Sequence, residues 1–255
     1  MLERELKAVV LNHLLIKGKL REGVTVINEL TVDNFSRRAD LALISEGNII
    51  AFEIKSEADS LRRLRGQTDK YLDYFDKVVI VSACKHAGKV SESAHDDVEV
   101  WEVFDGVVKI KKRGRLRKIS RKENYLDFLT KSEILLLLKR INVSCHDKCK
   151  REVKGLLADN LCKLSFGDVK AFALGAISRR FEMTSSLFFN CVVNRGEVVP
   201  SDINLLSPYY FGRQKRKAAK DSSDSFLKFL VEGRDDDPSL ARLARESTSI
   251  IFGEV

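Results

Sequence analysis

The stretch of sequence that decides the fold is "RRADLALISEGNIIAFEIKS", residues 37–56. It contains two apolar runs separated by "SEGN", a turn signal with a glycine inside it. Each run carries charge where a buried strand usually carries none, because Asp40 lies in the first run and Glu53 and Lys55 lie in the second. The pattern predicts a β-hairpin whose charged residues need an explanation.

The turn sets the register of this hairpin. If the two residues after Ser45 form a tight turn, counting back along both strands puts Asp40 opposite Glu53 and Arg38 opposite Lys55. A bulge in the turn would shift this register by one residue, and the sequence leaves that alternative open.

The two-residue period of a strand divides the second run between two faces of the sheet. Glu53 and Lys55 share one face, while Ile50, Phe52 and Ile54 point the other way, into the predicted core. Two carboxylates that face each other across a strand pair, with Cβ atoms about 5 Å apart, repel each other. Lys55 could offset this repulsion, and so could one Mg²⁺ or Mn²⁺ bound by both acids. The alternative is an exposed sheet face with mixed charges.

Hydrophobic periodicity gives the order of the surrounding elements. Residues 3–17 form an amphipathic helix, "GVTVINELTV" a strand, and residues 59–75 a second helix with Asp59 or Ser60 as its N-cap. "KVVIVSA" reads as a fully buried strand, and "VEVWEVF" and "VVKIKK" as edge strands. The predicted fold class is α/β with an α-β-β-β-α-β core.

After about Ser120 the pattern becomes helical. "TKSE" predicts a capping box before "ILLLLKR", and helices are expected near 147–162, 166–181, 222–232 and 238–247, with an extended connection over 195–212. We therefore expect two domains, residues 1–112 and a basic helical domain over residues 120–255.

Composition limits the cellular setting. No apolar run reaches the ~20 residues that span a bilayer, and the N-terminus has no signal-peptide character, so no membrane partner is expected. The five cysteines are an odd number, which favours reduced thiols and a cytoplasmic location. The net charge of +8 is uneven, because residues 1–104 hold 15 basic and 18 acidic residues and the rest is strongly basic. An anionic partner is therefore expected to bind largely through the second half.

An Asp followed a dozen residues later by Glu-x-Lys on the next strand resembles the PD-(D/E)XK nuclease superfamily, here as Asp40 and Glu53-Ile54-Lys55. Further matches resemble a small bacterial and phage-borne family close to DNA-repair proteins. They are "NEL" (28–30), "RRAD" (37–40), "FEIKS" (52–56), "LRRLRGQ" (61–67), Tyr71 and "FD" (75–76). The resemblance implies a restriction-endonuclease-like core and a Mg²⁺- or Mn²⁺-dependent deoxyribonuclease acting in repair or in defence against mobile DNA.

The resemblance also implies roles for single residues. Asp40, Glu53 and the Ile54 carbonyl would hold the metal, and Lys55 would orient the attacking water or stabilise the transition state. Glu29 is the preferred third acid, for metal binding and catalysis, and Glu5 of the first helix is the alternative. Contacts to the nucleic acid are expected from Arg38, Arg62, Arg63, Arg65, Gln67 and Tyr71. A solvated face is the alternative for the three arginines of residues 62–65. A capped, half-buried helix surface is the alternative for Gln67 and Tyr71, which are four apart on one helical face.

The segment "KIKKRGRLRKISRK", residues 109–122, has nine basic residues and no acid. This density suits phosphate neutralisation by residues such as Lys111, Lys112, Arg113 and Arg115, and an exposed linker is the alternative. "PYYFGRQKRKAAK", residues 208–220, sets aromatic residues beside basic ones, which suits base stacking or, more simply, anchoring of a tail. Cys145, Cys149 and Cys162 are read as structural thiols, because their spacing does not fit a zinc knuckle.

Three functions are compatible with the sequence. The first is a metal-dependent nuclease that hydrolyses DNA, and the second is a nuclease-like fold that binds DNA or an adaptor partner without catalysis. The third is a helix-turn-helix regulator built on residues 147–181, for which the turn "CKLSFGD" gives little support. A homodimer is left open in each case.

Overall fold

The computed structural model describes residues 1–32, 36–145 and 148–207. The second and third strands, β2 (Arg37–Ser45) and β3 (Asn48–Lys55), form the predicted hairpin. Both residues of the turn are left-handed, with φ of 52° at Glu46 and 71° at Gly47, which is the geometry of a two-residue type I′ turn. Pairing runs from Ser45–Asn48 to Leu41–Phe52, so the predicted register is confirmed over this span and the bulged alternative is wrong.

Among the described residues, six strands form one mixed sheet in the order β1-β2-β3-β4-β5-β6. The other four are β1 (Thr25–Val32), β4 (Lys77–Ala83), β5 (Glu99–Phe104) and β6 (Val107–Lys112). The β3–β4 and β4–β5 pairs are parallel and the remaining three are antiparallel. The prediction of an edge strand is confirmed for β6 and wrong for β5, which lies between β4 and β6.

In the part of the chain that the structure describes, six α-helices accompany the sheet: α1 (Glu3–Ile16), α2 (Leu64–Tyr74), α3 (Cys84–Ser93), α4 (Lys131–Arg140), α5 (Lys150–Asp159) and α6 (Phe166–Arg195). The predicted order α-β-β-β-α-β is confirmed, and the Thr130–Glu133 capping box forms as expected at the start of α4. Within the described residues, no helix has the length and apolar character needed to cross a membrane.

Three details of the helix predictions need correction. The α2 helix begins at Leu64 and not at residue 60, because the Asp59 carboxylate accepts bonds from the backbone and hydroxyl of Ser56 and so holds the preceding loop. The α3 helix was not predicted, since its short sequence "CKHAGKVSES" has few apolar residues. A 3₁₀ helix, Pro200–Leu206, replaces part of the expected extended connection. The helices predicted near 222–232 and 238–247, and the aromatic cluster of residues 209–211, lie outside the described residues.

The sheet separates two hydrophobic cores. On one face, apolar residues of α2, α4, α5 and the first half of α6 pack on Ala51 and Ile80. On the other, α1, the second half of α6 and the 3₁₀ helix Pro200–Leu206 pack on Phe52 and Ile54. Phe52 and Ile54 therefore point away from the face that carries Glu53, as predicted. Because the C-terminal helices share both cores with the sheet, residues 1–208 form one compact unit. The predicted division into two domains, residues 1–112 and 120–255, stays a prediction.

The long helix α6 protects one edge of the sheet. Its Ser185 hydroxyl donates to the Val26 carbonyl and accepts from the Val26 N–H, both at 3.0 Å. Two turns earlier, Ser178 accepts from the Thr25 hydroxyl at 2.9 Å. These bonds satisfy backbone groups of the edge strand β1 that would otherwise be open to pairing with another chain.

A buried carboxylate ties the helical part to the sheet. The Asp76 side chain is 1% exposed, accepts from the Ile49 N–H at 2.8 Å, and pairs with Lys170 of α6 at 2.9 Å. The Asp76 backbone bonds Ile49 and Arg117 as well. The aspartate of the "FD" motif therefore has a structural role, at the end of β3 that is remote from Glu53.

We expect Asp76→Asn to lower the free energy of unfolding by about 3 kcal/mol, because it leaves the partly buried Lys170 ammonium without its counter-charge while keeping an acceptor for Ile49. Urea unfolding at pH 7 measures the change. The control is Asp73→Asn, which removes an exposed i,i+3 contact to Lys70 and should cost less than about 0.5 kcal/mol. Equal effects of the two substitutions would contradict the assigned role of Asp76.

Candidate functional site

A cleft of about 250 Å³ opens where β2 and β3 separate. The lining residues come from α1, the start of β2, the end of β3 and the start of α2. They are Glu3, Ser36, Arg37, Arg38, Asp40, Glu53, Ile54, Lys55, Asp59, Arg63 and Gln67. Asp40, Glu53, Ile54 and Lys55 are thus brought together as the sequence predicted.

Glu53 lines the cleft, although the residue is only 1% exposed. The Lys55 ammonium donates to Oε1 at 2.7 Å, and the Tyr71 hydroxyl lies 2.9 Å from Oε2. Because Glu53 and Lys55 are both buried, the alternative of an exposed sheet face with mixed charges is wrong. A buried carboxylate whose oxygens are hydrogen-bonded is held in one orientation, and this suits a carboxylate that binds a metal ion.

The Asp40 side chain completes the acidic pair. Ladder pairing of β2 with β3 stops at Leu41–Phe52, so neither of the two predicted pairs beyond it, Asp40 with Glu53 and Arg38 with Lys55, forms in the ladder. The Asp40 carboxylate instead accepts from the Ile54 N–H at 2.7 Å, which brings it to the end of β3. Burial, and after it the negative charge of Glu53, together raise the pKa of Asp40 to about 7. The two acids are close enough to repel each other.

Lys55 is oriented by α2 as well as by Glu53. Its ammonium lies 3.3 Å from the Gln67 Oε1 atom, and its side chain is almost entirely buried. Gln67 is four residues from Tyr71 on the same helical face, as the sequence indicated. Both residues therefore act on the pair Glu53 and Lys55, although only Gln67 lines the cleft.

Tyr71 is 0% exposed, so in this conformation it cannot contact a nucleic acid as predicted. Its hydroxyl lies 2.6 Å from the Arg38 carbonyl and 2.9 Å from Glu53. Burial raises the pKa of Tyr71, and the charge of Glu53 adds to that effect. The neutral phenol thus joins the backbone of β2 to the acid on β3, and Tyr71 is a positioning residue.

Neither predicted third acid enters the cleft. Glu29 is exposed, has an unusual left-handed φ of 65°, and pairs with Arg38 at 3.2 Å. Glu5 accepts from the Leu2 N–H at 2.7 Å and so caps α1. Glu3 lines the cleft instead and pairs with Lys7 at 2.6 Å. Glu3 lies in the first turn of α1, four residues before Lys7, and this position is the feature of the sequence that points to it. The sequence does not show which face of α1 meets the cleft.

The donor atoms can be compared with the needs of a divalent metal. No group of three or more His, Cys, Asp or Glu side chains suited to a metal occurs in the described ranges. Mg²⁺, however, commonly takes one or two protein carboxylates and completes its shell with waters and substrate phosphate oxygens. Two converging acids, one with a raised pKa, together with the Ile54 carbonyl nearby, fit that requirement.

Arginines surround the cleft mouth. Arg37, Arg38 and Arg63 line it, from the start of β2 and from the residue before α2. Arg62 and Arg65 are exposed but do not line the cleft, and the Arg65 guanidinium lies 3.9 Å from the Asp69 carboxylate. Guanidinium groups on both sides of an acidic centre suit a phosphodiester, whose oxygens each accept two hydrogen bonds.

The basic segment after β5 does not reach this cleft. Lys111 and Lys112 lie on β6, three strands or about 14 Å from β3, and Lys112 bonds the Ala94 carbonyl at 2.8 Å. Arg115 and Arg117 bond the backbones of Asp97 and Asp76, which precede β5 and β4. Residues 113–117 thus cross the opposite end of the sheet, so Arg113 and Arg115 are remote from Glu53. Their predicted contact with nucleic acid stays a prediction.

Two further features lie outside the cleft. A larger cavity of about 640 Å³ lies between residues 22–25 and the outer side of α6, and it contains none of the predicted site residues. All five cysteines are free thiols, as expected from their odd number.

Comparison with known proteins gives three findings. The family model described as bacteriophage P4 protein cII matches residues 1–207. Protein cII of Enterobacteria phage P4 is 36% identical over 231 residues, which cover 89% of this chain and 82% of that protein. A solved protein of unknown function from Silicibacter pomeroyi is 18% identical and covers 54% of this chain and 90% of that one. Its TM-score of 0.38 is too low to carry an argument.

We expect Asp40→Asn to stabilise the protein in EDTA at pH 8, by about 2 kcal/mol, and to have little effect at pH 4. The folded-state pKa of Asp40 lies above its unfolded value of 3.8, so the wild type loses stability as pH rises from about 4 to about 7. The neutral amide avoids this loss and can still accept from Ile54. Thermal unfolding at both pH values measures the difference. If the difference in stability between wild type and Asp40→Asn is the same at all pH values, Asp40 and Glu53 do not repel each other in the folded protein.

Proposed function

The chain belongs to the family of bacteriophage P4 protein cII, and we propose that it is a metal-dependent nuclease that hydrolyses DNA phosphodiester bonds. In this proposal the sheet and its first two helices are a restriction-endonuclease-like core of the PD-(D/E)XK type. Two features of the fold support it: the order α1-β1-β2-β3-α2-β4, and the position of β3 between an antiparallel and a parallel neighbour.

The observation that carries the proposal is the meeting of Asp40 and Glu53 in one cleft with Lys55 between Glu53 and α2. Burying two acids together costs stability unless a charge or a proton offsets them. A purely structural sheet has no need for that arrangement. A site that binds a cation and a phosphate does need it.

The proposed roles follow from the contacts. Asp40, Glu53 and the Ile54 carbonyl would hold Mg²⁺ or Mn²⁺, which lowers the pKa of bound water and offsets charge on the phosphate. Lys55 has one ammonium donor left after its bonds to Glu53 and Gln67, and this donor can stabilise charge that develops on a phosphate oxygen. Tyr71 keeps Glu53 oriented, and the arginines at the mouth hold the flanking phosphates.

A second candidate is a nuclease-like protein that binds DNA, or an adaptor partner, without cutting. One observation favours it: both oxygens of Glu53 already have protein partners, Lys55 and Tyr71, so a metal has to share or displace them. Only the first candidate predicts cleavage, whether the second binds DNA or an adaptor partner, so cleavage is what separates them.

We expect the purified protein to nick or degrade DNA in Mg²⁺ or Mn²⁺ and to be inactive in EDTA. Glu53→Gln should reduce cleavage to background, because the amide keeps the size of the side chain and removes the charge that binds the metal. A panel of single-stranded, duplex, junction and RNA substrates measures this.

Glu57→Gln is the matched control, since Glu57 is exposed, lies four residues further along and does not line the cleft. Wild-type cleavage by Glu53→Gln would assign the activity to another site or a contaminant. Wild-type protein that binds DNA but cuts no nucleic acid would favour the second candidate.

We expect Lys55→Met to slow cleavage by about 100-fold and to leave the affinity for Mn²⁺ unchanged or higher. Methionine fills the space of the alkyl chain, while loss of the ammonium frees Glu53 Oε1 for the metal. Calorimetric titration with Mn²⁺ and single-turnover cleavage measure the two effects separately. Unchanged cleavage by Lys55→Met would remove the catalytic role of this residue.

A further inference from the structure

The tip of the β5–β6 hairpin exposes two large apolar side chains. Phe104 and Val107 are each 67% exposed, and they pair directly across the turn. Phe104 is the one aromatic residue among the large apolar side chains that are exposed in the described part of the chain. The turn between them is tight, with φ of 49° at Asp105 and 73° at Gly106, so the two residues are held next to each other at the end of the hairpin.

The strand register relates this tip to the acidic cleft. Lys55 pairs with Ser82, Ser82 with Glu102, and Glu102 with Lys109, so the four form one row across a single face of the sheet. Phe104 lies two residues beyond Glu102 on the same face, and so it shares the face and the end of the sheet with Lys55.

The same register gives an approximate distance. Two strand spacings separate Lys55 from Glu102, about 10 Å, and two residues along β5 add about 7 Å at a right angle. Phe104 is therefore about 12 Å from Lys55, which corresponds to three or four nucleotide steps of 3.4 Å in a stacked strand.

The charges near the tip favour a base over a phosphate as the group that it contacts. Asp105 is at the turn itself and repels phosphates. Lys109 follows on β6 with no ion-pair partner among the residues the structure describes, and Lys85 is exposed in the first turn of α3. The ring of Phe104 thus lies between the Asp105 carboxylate, which repels phosphates, and the lysines, which attract them. This arrangement suits an unstacked base on the ring, with the phosphate backbone of its strand passing over the lysines.

We propose that Phe104, with Val107 beside it, stacks on an unpaired base of a DNA strand whose backbone occupies the acidic cleft. This inference rests on the proposed function for the position of the strand, and it assigns the substrate class: DNA with a single-stranded or opened segment a few nucleotides from the cleft. The hairpin supplies binding and not chemistry, because Phe104 has no group that takes part in hydrolysis.

The experiment measures binding of the full chain to a 12-nucleotide single strand in EDTA, where no cleavage occurs. Phe104→Ala should weaken binding by about tenfold, because it removes the ring that stacks on the base. Phe104→Trp should restore binding, because stacking needs an aromatic face and does not depend on the exact shape of the side chain. With 2-aminopurine placed at successive positions, wild-type protein should quench the fluorescence at one position, and Phe104→Ala should relieve that quenching.

The control is Met183→Ala, which removes a comparably exposed apolar side chain from α6 and should leave affinity unchanged. Equal affinity and equal quenching for wild type and Phe104→Ala would overturn the proposal. A change in oligomeric state without a change in DNA affinity would overturn it too, in favour of a second copy of the chain at the tip. Because none of these measurements requires cleavage, they are separate from the test of nuclease activity.

Discussion

Asp40 and Glu53 repel each other at the point where β2 and β3 separate, and the properties of the cleft depend on this interaction. The tight turn at Glu46 and Gly47 fixes the register, and the register in turn brings one acid to the end of each strand. Burial strengthens the repulsion, which is visible in the raised pKa of Asp40. A fold that keeps such a pair loses stability at neutral pH, and a bound cation would return that stability. This is the usual relation between a strained site and its ligand.

The rest of the molecule holds this pair in place from both faces of the sheet. On one face, α2 contributes Tyr71 and Gln67, which bond Glu53 and Lys55. On the other, α1 contributes Glu3 at the cleft and the buried Lys7, which bonds Asn28 of β1 at 2.9 Å. The C-terminal helices are part of the same support, since α6 reaches the sheet through Asp76 at one end and through Ser185 along β1. The site and the helical region therefore depend on one continuous core.

The sequence predicted best those elements whose pattern is local. The hairpin register, the order of the first six elements and the Thr130–Glu133 capping box are short-range features, and all of them are confirmed. It predicted worst those features that depend on which surfaces meet. Glu3 and Asp59 are the further acids that line the cleft, and Glu29 and Glu5 do not line it, because which surfaces meet there is a tertiary property. Likewise, charge density alone could not reveal that Arg115 and Arg117 bond the far end of the sheet.

Anomalous diffraction from crystals soaked in Mn²⁺ tests the proposal that Asp40 and Glu53 share one cation. We expect a single strong peak within bonding distance of both carboxylates and of the Ile54 carbonyl, with the Lys55 ammonium directed towards the space where a phosphate binds. A peak elsewhere, or an unchanged Lys55–Glu53 ion pair with no peak in the cleft at millimolar Mn²⁺, would contradict this proposal.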